Sequence, residues 1–445
     1  MKLKLISTVL MSLAATSAMA SKLPTTYSTP KDPGVINHDR IQYWLEKRGE
    51  LAVNATEAQR QKAIESFITA KSINDMHVPP SIRKEMFITD RTPSKGALTV
   101  KGIKGLEKQS KSANGQQTTT VKVLAIMVDF PDLKHDENRL SAGDTEMFYS
   151  EYPVSHYNDL LFSTSGYEGP SGQTIESAYQ FYQQESGGSL FFTGQANGWV
   201  TADNDAAHYG GNDEEGDDQN VQALVLEAVT KVVSELNIDL TEYDNTDLFD
   251  IDGDGNVNEP DGIIDHVMLF HSSVGEEAGG GVLAEDAVWS HRFFVFDEET
   301  QQPVPVPGSD IKLFGYTINP IDAATGVVVH EFGHDLGLPD EYDTANGRLG
   351  SPVGDWSVMA SGSWVGSPAG TRPVGFSAFA RDELQRVYQG NWIDQLTIDF
   401  ASLDSQSVDL VEAINHDGDV NQIKITLPNK MIQFAAPYEG EMQYY

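Results

Sequence analysis

Cysteine is absent from all 445 residues. No disulfide can staple this chain, and no thiolate can cap a metal. An exported protein without disulfides must fasten its loops by other means, and bound metal is the obvious substitute. Basic residues are scarce as well: 30 Lys and Arg stand against 66 Asp and Glu, a net charge of −36. The deficit is uneven. Residues 21–120 carry 16 basic and 10 acidic side chains, whereas residues 121–445 carry 12 and 56. So acidic a body excludes nucleic acid as a partner, because phosphate binding needs the opposite sign. Solubility in salty surroundings is the plain consequence. Long apolar runs are also missing after the first 20 residues, so no transmembrane segment is expected. Those first residues read as a Sec-type signal peptide: Lys2 and Lys4, an apolar stretch from Leu5 to Ala15, then Ala18-Met19-Ala20 as the cleavage site. That implies a secreted, extracellular protein.

What is present follows a clear order. Asp39 to Arg48 and Ala58 to Ala70 have helical spacing, and Pro79-Pro80 ends that region. Lys101 to Thr120 is polar and glycine-containing, an exposed linker open to cleavage. Val121 to Phe130 is a near-continuous apolar, β-branched run that reads as a buried strand opening a new domain. Asp217 to Leu236 has one apolar helical face, and Ile263 to Phe270 reads as a strand. Ala323 to Leu336 reads as a helix, with Asp322 as its N-cap and Gly337 closing it; Ser377 to Val387 suggests another. From about Leu396 the pattern turns to short strands (LTIDF, SVDLV, QIKITL), the expected start of a β-rich C-terminal domain.

Within the Ala323 to Leu336 helix lies HEFGH. Residues i and i+4 share a helix face, so His330 and His334 project side by side and can bind one ion. Glu331 stands next to that ion without ligating it. Metal-assisted hydrolysis needs this set: imidazoles for a borderline cation such as zinc, an open position for water, and a carboxylate to take the water's proton. Gly337 lets the chain double back, which places Asp340 to supply the third ligand. Glu341 follows directly and offers a second carboxylate; the spacing favours Asp340.

His330-Glu331-x-x-His334-x-x-Gly337-x-x-Asp340 resembles the extended zinc signature of the metzincin metallopeptidases, with Asp where most have a third His. Asp355 to Trp364 resembles their Met-turn, with Met359 beneath the metal. Together with Phe249 to Gly281 and Gln184 to Thr201, the pattern is similar to the immune inhibitor A family of secreted bacterial zinc metallopeptidases, most closely over Val121 to Trp364. The resemblance implies a zinc endopeptidase acting on protein or peptide substrates, with Glu331 as general base and Met359 supporting the site. Many metzincins carry Tyr two residues after that Met, where this chain has Ser361. A tyrosine that steadies an oxyanion must come from elsewhere, and Tyr342 is a candidate.

A second metal signal precedes the helix. Asp250, Asp252, Asp254, Asn256, Asn258 and Asp261 occupy positions 1, 3, 5, 7, 9 and 12 of a calcium loop, with Gly255 at the sharp turn. A β-branched run follows it, so a structural calcium site within the catalytic domain is expected rather than a helix-loop-helix sensor. Asp265, Glu276 and Glu277 are possible further ligands. Asp213 to Asp218 lacks such spacing and reads as a solvated loop. His271 and His291 read as structural histidines, and Trp289 and Trp364 as core residues or as walls of a substrate cleft.

The expected architecture is α+β: a metzincin-like zinc peptidase domain with a mixed sheet and an active-site helix. Its parts are a signal peptide at 1–20, a mainly helical pro-segment and linker at 21–120, the catalytic domain at 121–395 and the start of a β-rich domain at 396–445. The basic pro-segment is expected to inhibit the acidic body as an intramolecular partner, an Asp, Glu or His standing in for the missing thiolate. Its bland alternative is a folding aid. For the whole chain the competing class is a calcium-stabilised surface or adhesion protein with a vestigial zinc site. Retention of His330, Glu331 and His334 argues against that.

Overall fold

The computed structural model describes residues 32–69, 87–91, 93, 117–213, 216–248, 250, 254–342, 353–400, 407–427 and 443–444. The signal-peptide reading, most of the 101–120 linker, and Asp252 fall outside them.

The principal elements are α1 His38–Lys47, α2 Glu57–Thr69, β1 Thr119–Asp129, α3 Val154–Phe162, α4 Ala178–Glu185, β2 Leu190–Thr201 and α5 Val221–Leu236. They continue with β3 His266–His271, β4 His291–Phe294, β5 Gly315–Pro320, α6 Thr325–Asp335, α7 Ala378–Tyr388, β6 Gln395–Asp399 and β7 Gln422–Thr426. A mixed five-stranded sheet runs in the order β2-β1-β3-β5-β4. Its first four strands are parallel, with Ala125 opposite both Ala196 and Met268, and Leu269 opposite Ile318. β4 closes the edge antiparallel to β5, with Arg292 opposite Thr317.

Side-chain alternation along β1 divides the core in two. Val121, Val123, Ala125 and Met127 face a cluster that contains Phe181, Tyr182, Phe332, Met359 and Leu384, from α4, α6 and α7 and the segment between the last two. Leu124, Ile126 and Val128 face the other cluster, where α5 contributes Leu224, Val225, Ala228 and Val232. A parallel sheet covered on both faces explains why β1 reads as an unbroken apolar run. The sheet thus presents α6, with its two histidines, from one face.

Several boundaries differ from the sequence expectation. β1 begins at Thr119, so the last residues of the expected linker are buried strand. The N-cap of α6 is Ala324, without a side-chain cap bond. Asp322 lies half-buried two residues earlier, its carboxyl raised chiefly by desolvation. SVDLV adopts no strand, whereas β6 and β7 do form and pair in parallel. Ser377 caps α7 by accepting from the Ala380 N–H.

In the N-terminal region α1 and α2 share a small core of Ile41, Leu45, Leu51, Phe67 and Ile68. α1 docks on the body through Trp44, which packs with Val274 and Ala278. Among the described residues no helix is long and apolar enough to cross a membrane.

Candidate active site and metal centre

α6 is buried along almost its whole length, including His330 and Glu331, so its polar groups must find partners inside the protein. Each imidazole is oriented from behind. His330 Nδ1 lies 2.6 Å from the Val358 carbonyl and His334 Nδ1 2.8 Å from the Leu338 carbonyl. With Nδ1 engaged, both rings present Nε2 to the same point, 3.1 Å apart, which is how metal-binding histidines are usually fixed. Gly337, at φ +95°, turns the chain after the helix and brings Asp340 back. Its Oδ1 lies 3.2 Å from His334 Nε2 and 3.7 Å from His330 Nε2. Glu341 points elsewhere, accepting a short hydrogen bond from Ser377 Oγ.

The fourth member of the cluster comes from outside the motif. Asp32, in the N-terminal region, places Oδ2 2.7 Å from His330 Nε2 and 3.0 Å from His334 Nε2. Its Oδ1 accepts from the Gly34 N–H at 2.6 Å and from the Tyr342 hydroxyl at 2.5 Å. One ligand atom each from Asp32, His330, His334 and Asp340 falls within 4.8 Å of the others. Burial favours the neutral form of Asp32, but the two imidazoles overcome it and hold the carboxyl well below its usual range. Burial likewise opposes the charged His334 ring, and the carboxylates of Asp340 and Asp32 raise it well above the usual value. Two imidazoles and two carboxylates around one point are a donor set that suits zinc, which displaces protons as it binds.

Glu331 completes the geometry. It is fully buried, and among the described residues neither carboxylate oxygen has a hydrogen-bond partner. Burial first, and then the negative charge of Asp32, push its carboxyl well above the usual range. Beneath the histidines, Met359 is buried and fits only because residue 333 is glycine: a Cβ there would meet its sulfur at 2.5 Å. Tyr342 is drawn to Asp32, its hydroxyl raised well above the usual value by burial and that carboxylate.

The chain from Asp32 to Asn37 crosses the site. The Trp289 indole N–H donates to the Asp32 carbonyl at 2.9 Å, and the Asn37 N–H donates to the Glu277 carbonyl at 2.9 Å. Val35 is wholly buried against Trp289 and Val327, with Trp364 alongside. Both tryptophans therefore face this segment. Sequence reasoning raised an acidic or histidine cap from the N-terminal region but did not single out Asp32. The one local signal is the glycine two residues on, where a Cβ would lie 2.7 Å from the His330 ring and 2.8 Å from Tyr342.

The expected calcium loop shows its own turn chemistry. Asp250 accepts from the Gly255 N–H, and Asp254 from the Asn256 N–H. Asp261, crowded by Asp247, Asp244 and Asp265, has its carboxyl pushed up to about 7, burial being the largest cause. Asn256 donates to Glu259, and Asn258 is exposed. Asp265 is turned to the N–H groups of Asn245 and Thr246. Glu277 accepts from Ser290, and Glu276 from Asn212, so neither is directed at this loop. The Asp213 to Asp218 stretch is not simply solvated: Asp217 and Asp218 are buried, and Asp218 accepts from the Trp289 N–H. His271 bonds Ser273, and His291 bonds the Trp289 carbonyl and the Tyr316 hydroxyl, as structural histidines do.

Comparison with known proteins agrees with the geometry. The profile of the immune inhibitor A peptidase M6 catalytic domain matches residues 108–393. The chain is 42% identical over 460 aligned residues to the pre-pro-metalloprotease PrtV of Vibrio cholerae serotype O1, covering 100% of this chain and 49% of that protein. It is 37% identical over 365 residues to Immune inhibitor A of Bacillus thuringiensis subsp. alesti, covering 79% of this chain and 52% of the relative. The chain thus spans about half the length of these curated relatives. By the matched domain and both identities, it belongs to the immune inhibitor A family of M6 peptidases.

Proposed function

We propose that this chain is a secreted zinc-dependent endopeptidase acting on protein substrates, made as a zymogen and stabilised by calcium. The observation that carries the reading is the convergence of His330, His334 and Asp340 beside the carboxylate of Glu331, which has no hydrogen-bond partner among the described residues. Those three side chains are the proposed zinc ligands. When bound, zinc supplies a Lewis acid that polarises the scissile carbonyl and lowers the pKa of water. Glu331 takes the proton of the attacking water and returns it to the leaving amine. Its carboxylate has no hydrogen-bond partner among the described residues, so its oxygens are free to hold that proton in transit. Met359 supports the two rings from below.

Residues 1–20 are proposed as the signal peptide, 21–120 as pro-segment and linker, 121–395 as catalytic domain, and 396–445 as the start of a β-rich region. Asp32 supports the zymogen reading. Its carboxylate lies against both Nε2 atoms, where water and a substrate carbonyl would have to enter, while Val35 fills the apolar cleft between Trp289 and Val327. The name of the Vibrio relative, a pre-pro-metalloprotease, is in keeping with such a segment. Calcium in the Asp250 to Asp261 loop would neutralise crowded carboxylates where no disulfide can fasten the chain.

The decisive measurement pairs casein hydrolysis with metal analysis of the processed protein. Glu331→Gln is expected to lower the rate by about 10²- to 10⁴-fold while zinc stays bound. Undiminished proteolysis by that variant would eliminate Glu331 as the base. A wild type free of transition metal yet fully active would eliminate the zinc reading.

A further inference from the structure

An α-helix leaves its last carbonyls without partners inside the helix, and cations are favoured at that end. At the end of α6 three successive carbonyls are satisfied from outside. Arg91 donates to the Asp335 carbonyl at 2.7 Å, the Tyr388 hydroxyl to that of Leu336 at 3.1 Å, and the Ile88 N–H to that of Gly337 at 2.6 Å. Two of these three donors belong to the short segment Ile88 to Arg91. This segment is seated as core: Ile88 is wholly buried in the cluster that holds Phe332, Leu336 and Met359, and Arg91 is 4% exposed.

The binding is reciprocal. Arg91 also donates to the Tyr388 hydroxyl at 2.6 Å, while Arg386 donates to the carbonyls of Ile88 and Arg91 at 2.5 and 3.3 Å. Gly337 is shaped for it, because a Cβ there would come within 2.8 Å of the Ile88 nitrogen. The carbonyls held lie between His334 and Asp340, on the turn that carries the third proposed ligand. These bonds go to α6, its closing turn and α7, and none goes to the histidines or Asp340. Asp32 does the opposite, binding at the histidines themselves.

We propose that Ile88–Arg91 is a clip that belongs to the working catalytic unit: the end of α6, with α7, forms a docking surface for this Ile-x-x-Arg segment. The clip holds the turn from His334 to Asp340 in ligating geometry and stays seated when the Asp32 part is released, on whichever side of it the chain is cut. This rests on the reading of residues 21 to about 115 as a pro-segment, and it divides that segment into a blocking part and a supporting part.

The test compares Asp32→Ala, Arg91→Gln and Arg91→Lys in the full chain, by peptide hydrolysis before and after processing, zinc affinity of the processed enzyme, and thermal midpoint. The processed, gel-filtered wild type is also analysed by mass spectrometry for residues 87–91. Arg91→Gln is expected to give no early activity, to lower the midpoint by several degrees, and to weaken zinc binding about tenfold or more, as loss of a ligand-orienting contact does. Arg91→Lys, which keeps the charge without the fork, should fall between and covers the case in which Arg91→Gln does not fold. Residues 87–91 should remain with the processed enzyme. Early activity from Arg91→Gln, equal to that of Asp32→Ala, would make the clip part of the block and overturn the proposal. So would a fully active, equally stable processed enzyme that lacks these residues. A silent Asp32→Ala chain counts against the Asp32 block and leaves the clip standing if zinc affinity still falls in Arg91→Gln.

Discussion

Asp144 and Gly34 show how single residues set the hold of the N-terminal region on the body. Asp144 is buried, which on its own would raise its carboxyl, yet bonds from Lys47, Tyr43 and Ser141 outweigh that and hold it at about 2. A carboxyl lowered on folding contributes stability that is present above its unfolded value, near 4, and lost as the pH falls towards 2. Two of its partners, Lys47 and Tyr43, belong to α1. Protection of α1 from hydrogen exchange should therefore exceed that of an Asp144→Asn variant at pH 5 to 7, with the gap closing by about pH 2. A gap that does not change with pH would show that the charge of Asp144 is not what holds α1. At Gly34 the argument is steric. A methyl group would press on the His330 ring and Tyr342. Gly34→Ala is expected to unseat Asp32 and raise hydrolysis by the unprocessed chain at least tenfold, and a variant as silent as wild type would contradict that.

At the scale of elements, α6 was the most legible part of the sequence and its surroundings the least. Its apolar pattern, its histidine spacing and the closing role of Gly337 all follow from helix geometry, which depends only on neighbours in the chain. The identity of its N-cap did not, because the helix begins at Thr325, so that Ala324 takes the place and Asp322 lies two residues before it. The proposal of calcium in the Asp250 to Asp261 loop is local in the same way, since it rests on the spacing of one turn. Removing calcium with a chelator at neutral pH should lower the thermal midpoint by several degrees and open residues 244–265 to proteolysis, and added calcium should reverse both. An unchanged midpoint and cleavage pattern would remove calcium from the account. The acidic stretch before α5 misled for the opposite reason. Its composition suggested solvent, but Asp218 is committed to the backbone of Trp289, 71 residues away.

Across the whole molecule the charge asymmetry read from composition reappears as contacts. Lys47 pairs with Asp144, Arg40 donates to the Gly143 and Asp144 carbonyls, and Arg48 to those of Gly279 and Gly281. Partly exposed pairs of this kind contribute little singly and are screened by salt. After cleavage, release of the N-terminal part should therefore quicken as ionic strength rises from about 0.01 to 1 M, where the screening length shrinks from roughly 30 to 3 Å. A release rate indifferent to salt would assign the hold to Trp44 and Val35 instead. The chain's order alone determined the two histidines on one helix face, the acidic spacing from Asp250 to Asp261, the buried core strand and the acidic body, because each is a pattern of near neighbours or of composition. Only the folded structure decided that Asp32 joins His330, His334 and Asp340, that Trp289 bonds the Asp32 carbonyl, that Asp340 rather than Glu341 turns towards the histidines, and that Ile88 and Arg91 cap α6. Those pairings join residues up to about 300 positions apart, and such contacts are selected by packing around the whole core, for which no local periodicity exists to be read.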